Sequence, residues 1–127
     1  MLLDGKKYAE AKLPELKERV SKLEKEPRLA ILQVFGDDAS DRYVQNKLKR
    51  CKEVGIDTRL FYISPLVEQE RIADKIRELN ADPNITGIIL QRPLPEHLDE
   101  HYRTNLIVPK KDVDGFTETN TGKLSLG

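Results

Sequence analysis

Three short apolar runs, separated by longer charged segments, place the strongest constraint on the fold of this chain. The runs are LAILQVF (29–35), TRLFYI (58–63) and TGIILQ (86–91). Runs of this length and continuity are typical of strands that are covered on both faces, as in parallel sheets. The segments between them carry apolar residues at helical spacing. This alternation predicts an α/β fold with three layers in αβα order, in which a mostly parallel sheet is flanked by helices.

The first two helical segments have recognisable limits. A first helix is predicted over about 6–25, and Pro14 inside it predicts a kink or a restart, because proline is tolerated in a first turn but not in mid-helix. A second helix is predicted from Asp41 to Val54. Ser40 is a good N-cap for that helix, and Gly55 is expected to end it.

The later part of the chain is less regular. A third helix is predicted over 67–82, and a short helix near 98–105 is followed by a short strand at 106–108. The tail, 117–127, is polar and has no apolar run long enough to form an element. We expect it to be a surface excursion or a connection.

Composition limits the classes of function. The chain has 127 residues, which suit one domain, with 22 Lys and Arg against 22 Asp and Glu. This neutral balance gives no electrostatic reason to expect a nucleic-acid or membrane partner. The single cysteine excludes an intrachain disulfide and suggests no cysteine-based metal site. Since the start is no signal peptide and no apolar run approaches a membrane span, we expect a cytoplasmic protein.

Lys47 occupies an unusual position for a cation. With residues advancing about 100° each along a helix, and Val44 set at zero, Lys47 lies near −60°, between Cys51 and Val54. Lys47 therefore lies inside the apolar arc, with Tyr43 one turn earlier at its edge. On the same face, Cys51 is expected to be a packed core thiol.

Two interpretations of Lys47 are open. In the first, its methylenes lie on the core while its ammonium reaches water. In the second it borders a cleft, where partial desolvation lowers the pKa of a lysine and allows it to act as an acid, a base or a hydrogen-bond donor. Ligands of open parallel sheets bind beyond the carboxyl ends of the strands. Tyr43, Lys47 and Gln91, which closes the third strand, are expected to converge there.

The stretch KDVDGF, 111–116, carries the last candidate. Asp112 and Asp114 flank Val113 and precede Gly115. One interpretation is a turn in which an Asp side chain binds the backbone. The other is a carboxylate that accepts two adjacent N–H groups of a ligand. No metal site is predicted here, because no histidine or third carboxylate is near in sequence.

Several separated stretches resemble one family. GDDASDRYVQNKLKRCKEVGI, NADPNITGIILQRPLP, IVPKKDVDGF and NTGKL occur in the order and spacing of the bifunctional methylenetetrahydrofolate dehydrogenase/methenyltetrahydrofolate cyclohydrolases. The combination of Ser-x-x-Tyr-x-x-x-Lys, Gln-x-Pro-Leu-Pro and Lys-Asp-Val-Asp-Gly is specific, and the resemblance covers essentially the whole chain.

The resemblance implies roles for five residues. Lys47 matches the catalytic lysine, and Gln91 matches the glutamine that hydrogen-bonds and tunes it. Tyr43 matches the tyrosine that stacks on the folate. Asp114 matches the aspartate that holds the amino-pyrimidine edge of the pterin and is counted with the catalytic set. Ser40 matches a serine near the substrate.

The resemblance also implies an activity and its partners. Family enzymes oxidise methylenetetrahydrofolate with NADP and hydrolyse the methenyl product to formyltetrahydrofolate, and they often form homodimers. The chain corresponds to the folate-binding catalytic domain, 1–127, with 117–127 as the start of an interdomain connection. Because no Gly-x-Gly-x-x-Gly loop is present, NADP binding and dehydrogenase activity are not expected from this domain alone.

Two departures and two alternatives accompany the resemblance. Asp38 stands where the family has proline, and Arg92 stands where an apolar residue is common. Arg92 is expected to be solvated or to meet the glutamate tail of a folate. The alternatives are a degenerate folate domain without activity and a receiver-type signalling module. The latter needs an aspartate at the end of the third strand, where this chain has Gln91.

Overall fold

The structure is a computed structural model, which describes residues 2–34 and 38–127. Helices and strands alternate along these residues, and a short 3-10 turn, Pro109–Lys111, lies between the last two helices. The elements are α1 (Gly5–Ser21), β1 (Arg28–Val34), α2 (Asp38–Val54), β2 (Asp57–Ile63), α3 (Gln69–Ala81), β3 (Gly87–Leu90), α4 (Glu100–Leu106) and α5 (Glu118–Leu126).

The three strands form one parallel sheet in the order β2-β1-β3. Leu29 of β1 lies opposite Gly87 of β3, and Leu32 lies opposite Leu90. Beyond the last pair, the backbone N–H of Gln91 donates to the Leu32 carbonyl across 2.8 Å. Gln91 is thereby fixed at the carboxyl edge of the sheet.

Each face of the sheet buries its own core. Leu32 of β1 packs with Ile72 and Ile76 of α3 on one face. Ile31, the next residue along, packs with Val44 of α2 on the other face. Because successive strand residues point to opposite faces, a continuous apolar run buries both. The predicted α/β fold with helices on both faces is confirmed.

Helix α1 lies outside these cores and packs against α2, with no fully buried residue of its own. The Asp4 side chain caps its start by accepting the Lys7 amide across 3.1 Å. Pro14 lies inside one continuous helix, so the predicted restart is wrong. The helix also ends at Ser21, short of the predicted limit at 25.

The start of α2 differs from the prediction. The helix begins at Asp38, so Ser40 lies buried in its first turn and is not the N-cap. Acidic residues near a helix N-terminus are favoured by the helix dipole, and Asp38 and Asp41 both lie in that turn. The predicted end is confirmed, since Gly55 follows with φ of 89°. Of the loop predicted before the helix, 36–37 lie outside the described residues, as does Phe35.

Two predictions for the C-terminal part are wrong. Residues 106–108 form no strand, because Leu106 ends α4 and the Val108 amide donates to Asn80 Oδ1 across 3.1 Å. The tail, predicted to form no element, contains α5. The Thr117 side chain accepts the Asn120 amide across 3.3 Å at its start, so a side-chain cap begins this polar helix.

Among the described residues, no helix combines the length and the apolar character needed to cross a membrane.

Candidate functional site

Lys47 and Gln91 meet at the carboxyl edge of the sheet. Lys47 Nζ donates to Gln91 Oε1 across 2.9 Å, and both side chains are half-buried. The other end of the amide is also engaged, because Gln91 Nε2 donates to the Arg92 carbonyl across 3.0 Å. With its NH₂ group held there, Gln91 presents its oxygen to the lysine. The predicted hydrogen bond between the two residues is present.

The apolar face of α2 sets the direction of Lys47. Val44 and Val54 are buried on this face, and Leu48 packs against the core that contains Ile31. Tyr43, one turn before Lys47, is 66% exposed. An exposed aromatic beside a half-buried ammonium provides a flat surface next to a polar group.

Cys51 lies one turn after Lys47 and responds electrostatically to it. Burial raises the pKa of the Cys51 thiol, and the charge of Lys47 lowers it in part. The thiol is half-buried, so the predicted packed core thiol is packed only in part. Residues four apart on a helix lie on the same face, so Lys47 and Cys51 lie on one side of α2.

Gln33 is a residue near the site that the sequence analysis missed. It is 1% exposed, lies one residue before the end of β1, and donates from Nε2 to Asp41 Oδ1 across 2.7 Å. This bond ties the first turn of α2 to the carboxyl edge of the sheet, so it fixes where the helix that carries Lys47 begins. The sequence feature that marks Gln33 is its position as a single amide residue inside the apolar run 29–35.

Asp112 organises the loop between Pro109–Lys111 and α5. Its carboxylate accepts the amides of Gly115, Phe116 and Thr117 across 3.0, 3.2 and 2.9 Å, and Asn120 Nδ2 across 3.0 Å. Burial alone would raise the pKa of Asp112, but the hydrogen bonds from Thr117, Asn120 and Phe116 outweigh it and hold the pKa below its usual value. The turn interpretation therefore describes Asp112.

Asp114 has a different environment. It is exposed, and its carboxylate accepts no hydrogen bond from the described residues. Asp112 and Gly115 close the turn around it across 3.0 Å, so the backbone on both sides of Asp114 is held. A held backbone with a free carboxylate is suited to accepting N–H groups from a ligand.

Arg92 joins this loop to the end of β3. Its guanidinium carbon lies 4.3 Å from the centroid of the Phe116 ring, and its Nε lies 3.1 Å from Glu100 Oε1. Since Arg92 follows Gln91 and Phe116 closely follows Asp114, the loop and the Lys47–Gln91 pair lie at the same end of β3. Arg92 is exposed, as the first of the two expectations has it, and its side chain is in addition stacked on Phe116 and paired with Glu100.

Lys111 also holds this loop, and it was not among the predicted site residues. It is 9% exposed, and its Nζ donates to the carbonyls of Leu79, Asn80 and Asp82 across 3.0, 2.8 and 2.8 Å. These carbonyls belong to the C-terminal end of α3, where a cation is favoured. Little in the sequence indicates that Lys111 is the buried one, because Lys110 and Lys111 are adjacent lysines.

Ser40 is the fifth predicted site residue. It is buried in the first turn of α2, one turn before Tyr43 and Val44. Ser40 and Tyr43 thus both belong to the helix that carries Lys47, while Gln91 and Asp114 belong to β3 and the loop beside it. Across residues 2–34 and 38–127, no group of three or more His, Cys, Asp or Glu side chains is arranged to hold a metal ion.

Comparison with known proteins gives a consistent result. Residues 3–114 match the family described as tetrahydrofolate dehydrogenase/cyclohydrolase, catalytic domain. The bifunctional protein FolD of Chloroherpeton thalassium is 42% identical over 131 residues, which cover 100% of this chain and 45% of that protein. The FolD protein of Moorella thermoacetica is 43% identical over 129 residues, covering 99% and 46%.

Solved structures agree with the sequence relatives. The bifunctional FolD methylenetetrahydrofolate dehydrogenase/cyclohydrolase of Campylobacter jejuni superimposes with a TM-score of 0.95 at 36% identity, covering 99% of this chain and 46% of that one. A 5,10-methylenetetrahydrofolate dehydrogenase from the silkworm Bombyx mori gives 0.95 at 34% identity, covering 98% and 44%. The chain therefore spans about half the length of the relatives that it matches.

Proposed function

Because the chain belongs to the tetrahydrofolate dehydrogenase/cyclohydrolase family, over its catalytic domain, we propose that it supplies the folate site of an enzyme that interconverts one-carbon folates. The complete reaction pair is oxidation of methylenetetrahydrofolate and hydrolysis of methenyltetrahydrofolate to formyltetrahydrofolate. The observation that carries the proposal is the hydrogen bond between Lys47 Nζ and Gln91 Oε1 at the carboxyl edge of the sheet.

Lys47 is proposed to move protons in the hydrolysis. Methenyltetrahydrofolate is a cation, and water adds to its amidinium carbon with loss of a proton. The C–N bond then breaks as the hydroxyl loses its proton to become the formyl C=O, and the departing nitrogen takes up a proton. The Lys47 amine is proposed to serve both transfers by giving up and taking back a proton. Gln91 orients that amine by accepting one of its N–H groups and adds no charge of its own.

The remaining residues are proposed to bind the substrate. Tyr43 offers its exposed ring for stacking on the folate rings. Asp114 presents a free carboxylate that can accept two adjacent N–H groups of the pterin. Ser40, buried in the first turn of α2, is assigned a place near the substrate by the family resemblance alone.

The residues present do not form a dinucleotide site of the glycine-rich kind. The segments that follow β2 and β3, at 64–68 and 91–99, contain no glycine, and residues 35–37 of the sequence contain one. Such sites need several glycines so that the backbone can approach the phosphates. The family relative from Trypanosoma brucei was solved in complex with NADP and an inhibitor. We infer NADP as the cofactor of the complete enzyme.

Assembly and location follow the family as further proposals. We infer a homodimer and a cytoplasmic location. Strand β2 is the edge of the described sheet on its side, and an edge strand can pair with a second copy. Sedimentation of the purified chain at several concentrations tests the dimer, and a monomer at every concentration would contradict it.

Calorimetric titration of the chain with tetrahydrofolate tests the proposed site. We expect saturable binding with one ligand per chain. Asp114→Asn removes the charge-assisted hydrogen bonds to the pterin and should weaken binding about tenfold or more. Asp74→Asn is the matched control, because Asp74 is an exposed carboxylate on α3. An absence of saturable binding would contradict the proposal and support a degenerate copy or a receiver-type module.

A further inference from the structure

We propose that Arg92 is a positioning residue that holds the loop carrying Asp114 against the end of β3 that carries Gln91. The inference rests on the proposed function, because it concerns the spacing of two groups within the folate site. It adds a residue to which neither the fold nor the family comparison assigns a role in this chain.

The backbone of Arg92 contacts Gln91. Its carbonyl accepts Gln91 Nε2 across 3.0 Å, which leaves Gln91 Oε1 to accept from Lys47 across 2.9 Å. Any movement of the Arg92 backbone therefore rotates the amide that orients Lys47.

The side chain of Arg92 contacts the loop that carries Asp114. It covers the Phe116 ring at 4.3 Å, and the Phe116 amide is bonded to Asp112 across 3.2 Å. Asp114 lies between Asp112 and Phe116 in the same turn. One residue thus contacts Gln91 through its backbone and the loop of Asp114 through its guanidinium.

Glu100 fixes the direction in which Arg92 points. Glu100 Oε1 lies 3.1 Å from Arg92 Nε, while Glu100 Oε2 accepts the Leu94 amide across 3.2 Å. Leu94 is buried in the core beneath the turn. Glu100, in the first turn of α4, therefore holds both the side chain of Arg92 and the backbone of Leu94, two residues further on. The guanidinium is thus kept in position to stack on Phe116.

A direct role of Arg92 in binding a carboxylate of the ligand is the competing explanation, and the structure disfavours it. The guanidinium is already paired with Glu100 and packed on a ring. The two explanations predict different dependence on the glutamate tail of a folate. A positioning residue acts on the pterin site and affects ligands with and without that tail equally.

The experiment compares two probes, tetrahydrofolate and tetrahydropteroate, which lacks the glutamate. Their Kd values are measured for the unmodified chain, Arg92→Leu, Phe116→Leu and the double variant. Loss of a partly exposed cation–π contact should raise both Kd values about two- to fivefold in each single variant. The double variant should lose no more than either single one, because both substitutions break the same contact.

Controls separate positioning from a general loss of stability. Arg77→Leu removes an arginine of similar exposure, 49% against 43% for Arg92, that is paired with Asp74 on α3, and it should leave both Kd values unchanged. Arg92→Lys keeps the cation and should recover part of the affinity lost in Arg92→Leu. Circular dichroism of each variant establishes that the chain is folded.

Each outcome has a definite meaning. If Arg92→Leu weakens only tetrahydrofolate, the guanidinium binds the glutamate tail and the positioning role is overturned. Unchanged Kd values, or losses that add in the double variant, would also overturn it. If the unmodified chain binds neither probe, the proposed function fails and this inference fails with it. If it binds both and Arg92→Leu has no effect, only the inference about Arg92 fails.

Discussion

Lys47 and Gln91, separated by 44 positions in sequence, are joined by a hydrogen bond of 2.9 Å between Nζ and Oε1. The bond links α2 to the end of β3 across the carboxyl edge of the sheet. It places a half-buried amine beside an oxygen that carries no charge, and the proposed role of Lys47 in proton transfer rests on this arrangement.

Lys47→Met should lower the hydrolysis of methenyltetrahydrofolate by the chain by about 100-fold or more, because a general acid–base group contributes at least that factor. The reaction is followed by the loss of the absorbance of the methenyl form. Lys49→Met is the matched control, since Lys49 is exposed on the same helix. Turnover by Lys47→Met equal to that of the unmodified chain would remove Lys47 from the mechanism.

The rate of alkylation of Cys51 tests the position of Lys47 in the absence of substrate. Burial raises the pKa of the Cys51 thiol, and the charge of Lys47 offsets part of that rise. In Lys47→Met this thiol pKa should rise further, the thiolate fraction should fall, and alkylation by iodoacetamide at pH 8 should slow by a factor of a few. Equal rates in the two proteins when folded would show that Lys47 does not face Cys51. Rates in urea, where the contact is lost, serve as the reference.

Asp112 should stabilise the fold in a pH-dependent manner. Asp112→Asn should lower the free energy of unfolding by about 1–3 kcal/mol at neutral pH, because the charged acceptor of several hydrogen bonds is lost. The pKa of Asp112 is lowered in the folded state, so the unfolded state binds more protons as the pH falls. The contribution is therefore fully present above the unfolded pKa and disappears as the pH falls through the folded pKa.

Urea unfolding of both proteins between pH 7 and pH 2 measures this contribution. The difference between the unmodified chain and Asp112→Asn should be constant down to about pH 4, near the pKa of an unfolded aspartate, and should shrink below it. A difference that does not change with pH would mean that the charge of Asp112 has no part in holding the loop.

Lys111 should contribute to stability where its neighbour does not. Lys111→Met removes the donor to three carbonyls at the end of α3 and should cost about 1–3 kcal/mol of unfolding free energy. Lys110→Met, at an exposed position next to it, should change stability by less than about 0.5 kcal/mol. Equal urea midpoints for the two variants would show that the buried ammonium adds nothing to the fold.

The layered fold and the candidate site were accessible from the sequence to different degrees. The strands begin and end within one or two residues of the predicted limits, because buried parallel strands leave uninterrupted apolar runs. The convergence of Lys47 and Gln91 was expected from helical phase and from the rule that parallel strands end at one edge, while the hydrogen bond between them was implied by the family resemblance. Gln33 and Lys111 were not recognised, and the contacts of Arg92 with Glu100 and Phe116 were not predicted, since polar residues acquire their partners only when separate segments meet.

The sequence by itself determined the periodic part of this protein: the alternation of strands and helices, the inward phase of Lys47 and the end of α2 at Gly55. Each depends on spacing along one element, which local chemistry specifies. Only the tertiary structure decided that Lys111 and not Lys110 is buried, that Asp112 closes a turn while Asp114 stays free, and that the polar tail forms α5. The burial of Lys111 depends on carbonyls at the end of α3, which are far from it in sequence and are brought to it only by packing. The turn at Asp112 and the start of α5 at Thr117 are closed by short-range bonds, but several nearby polar residues could have closed them, and the sequence pattern does not distinguish these choices.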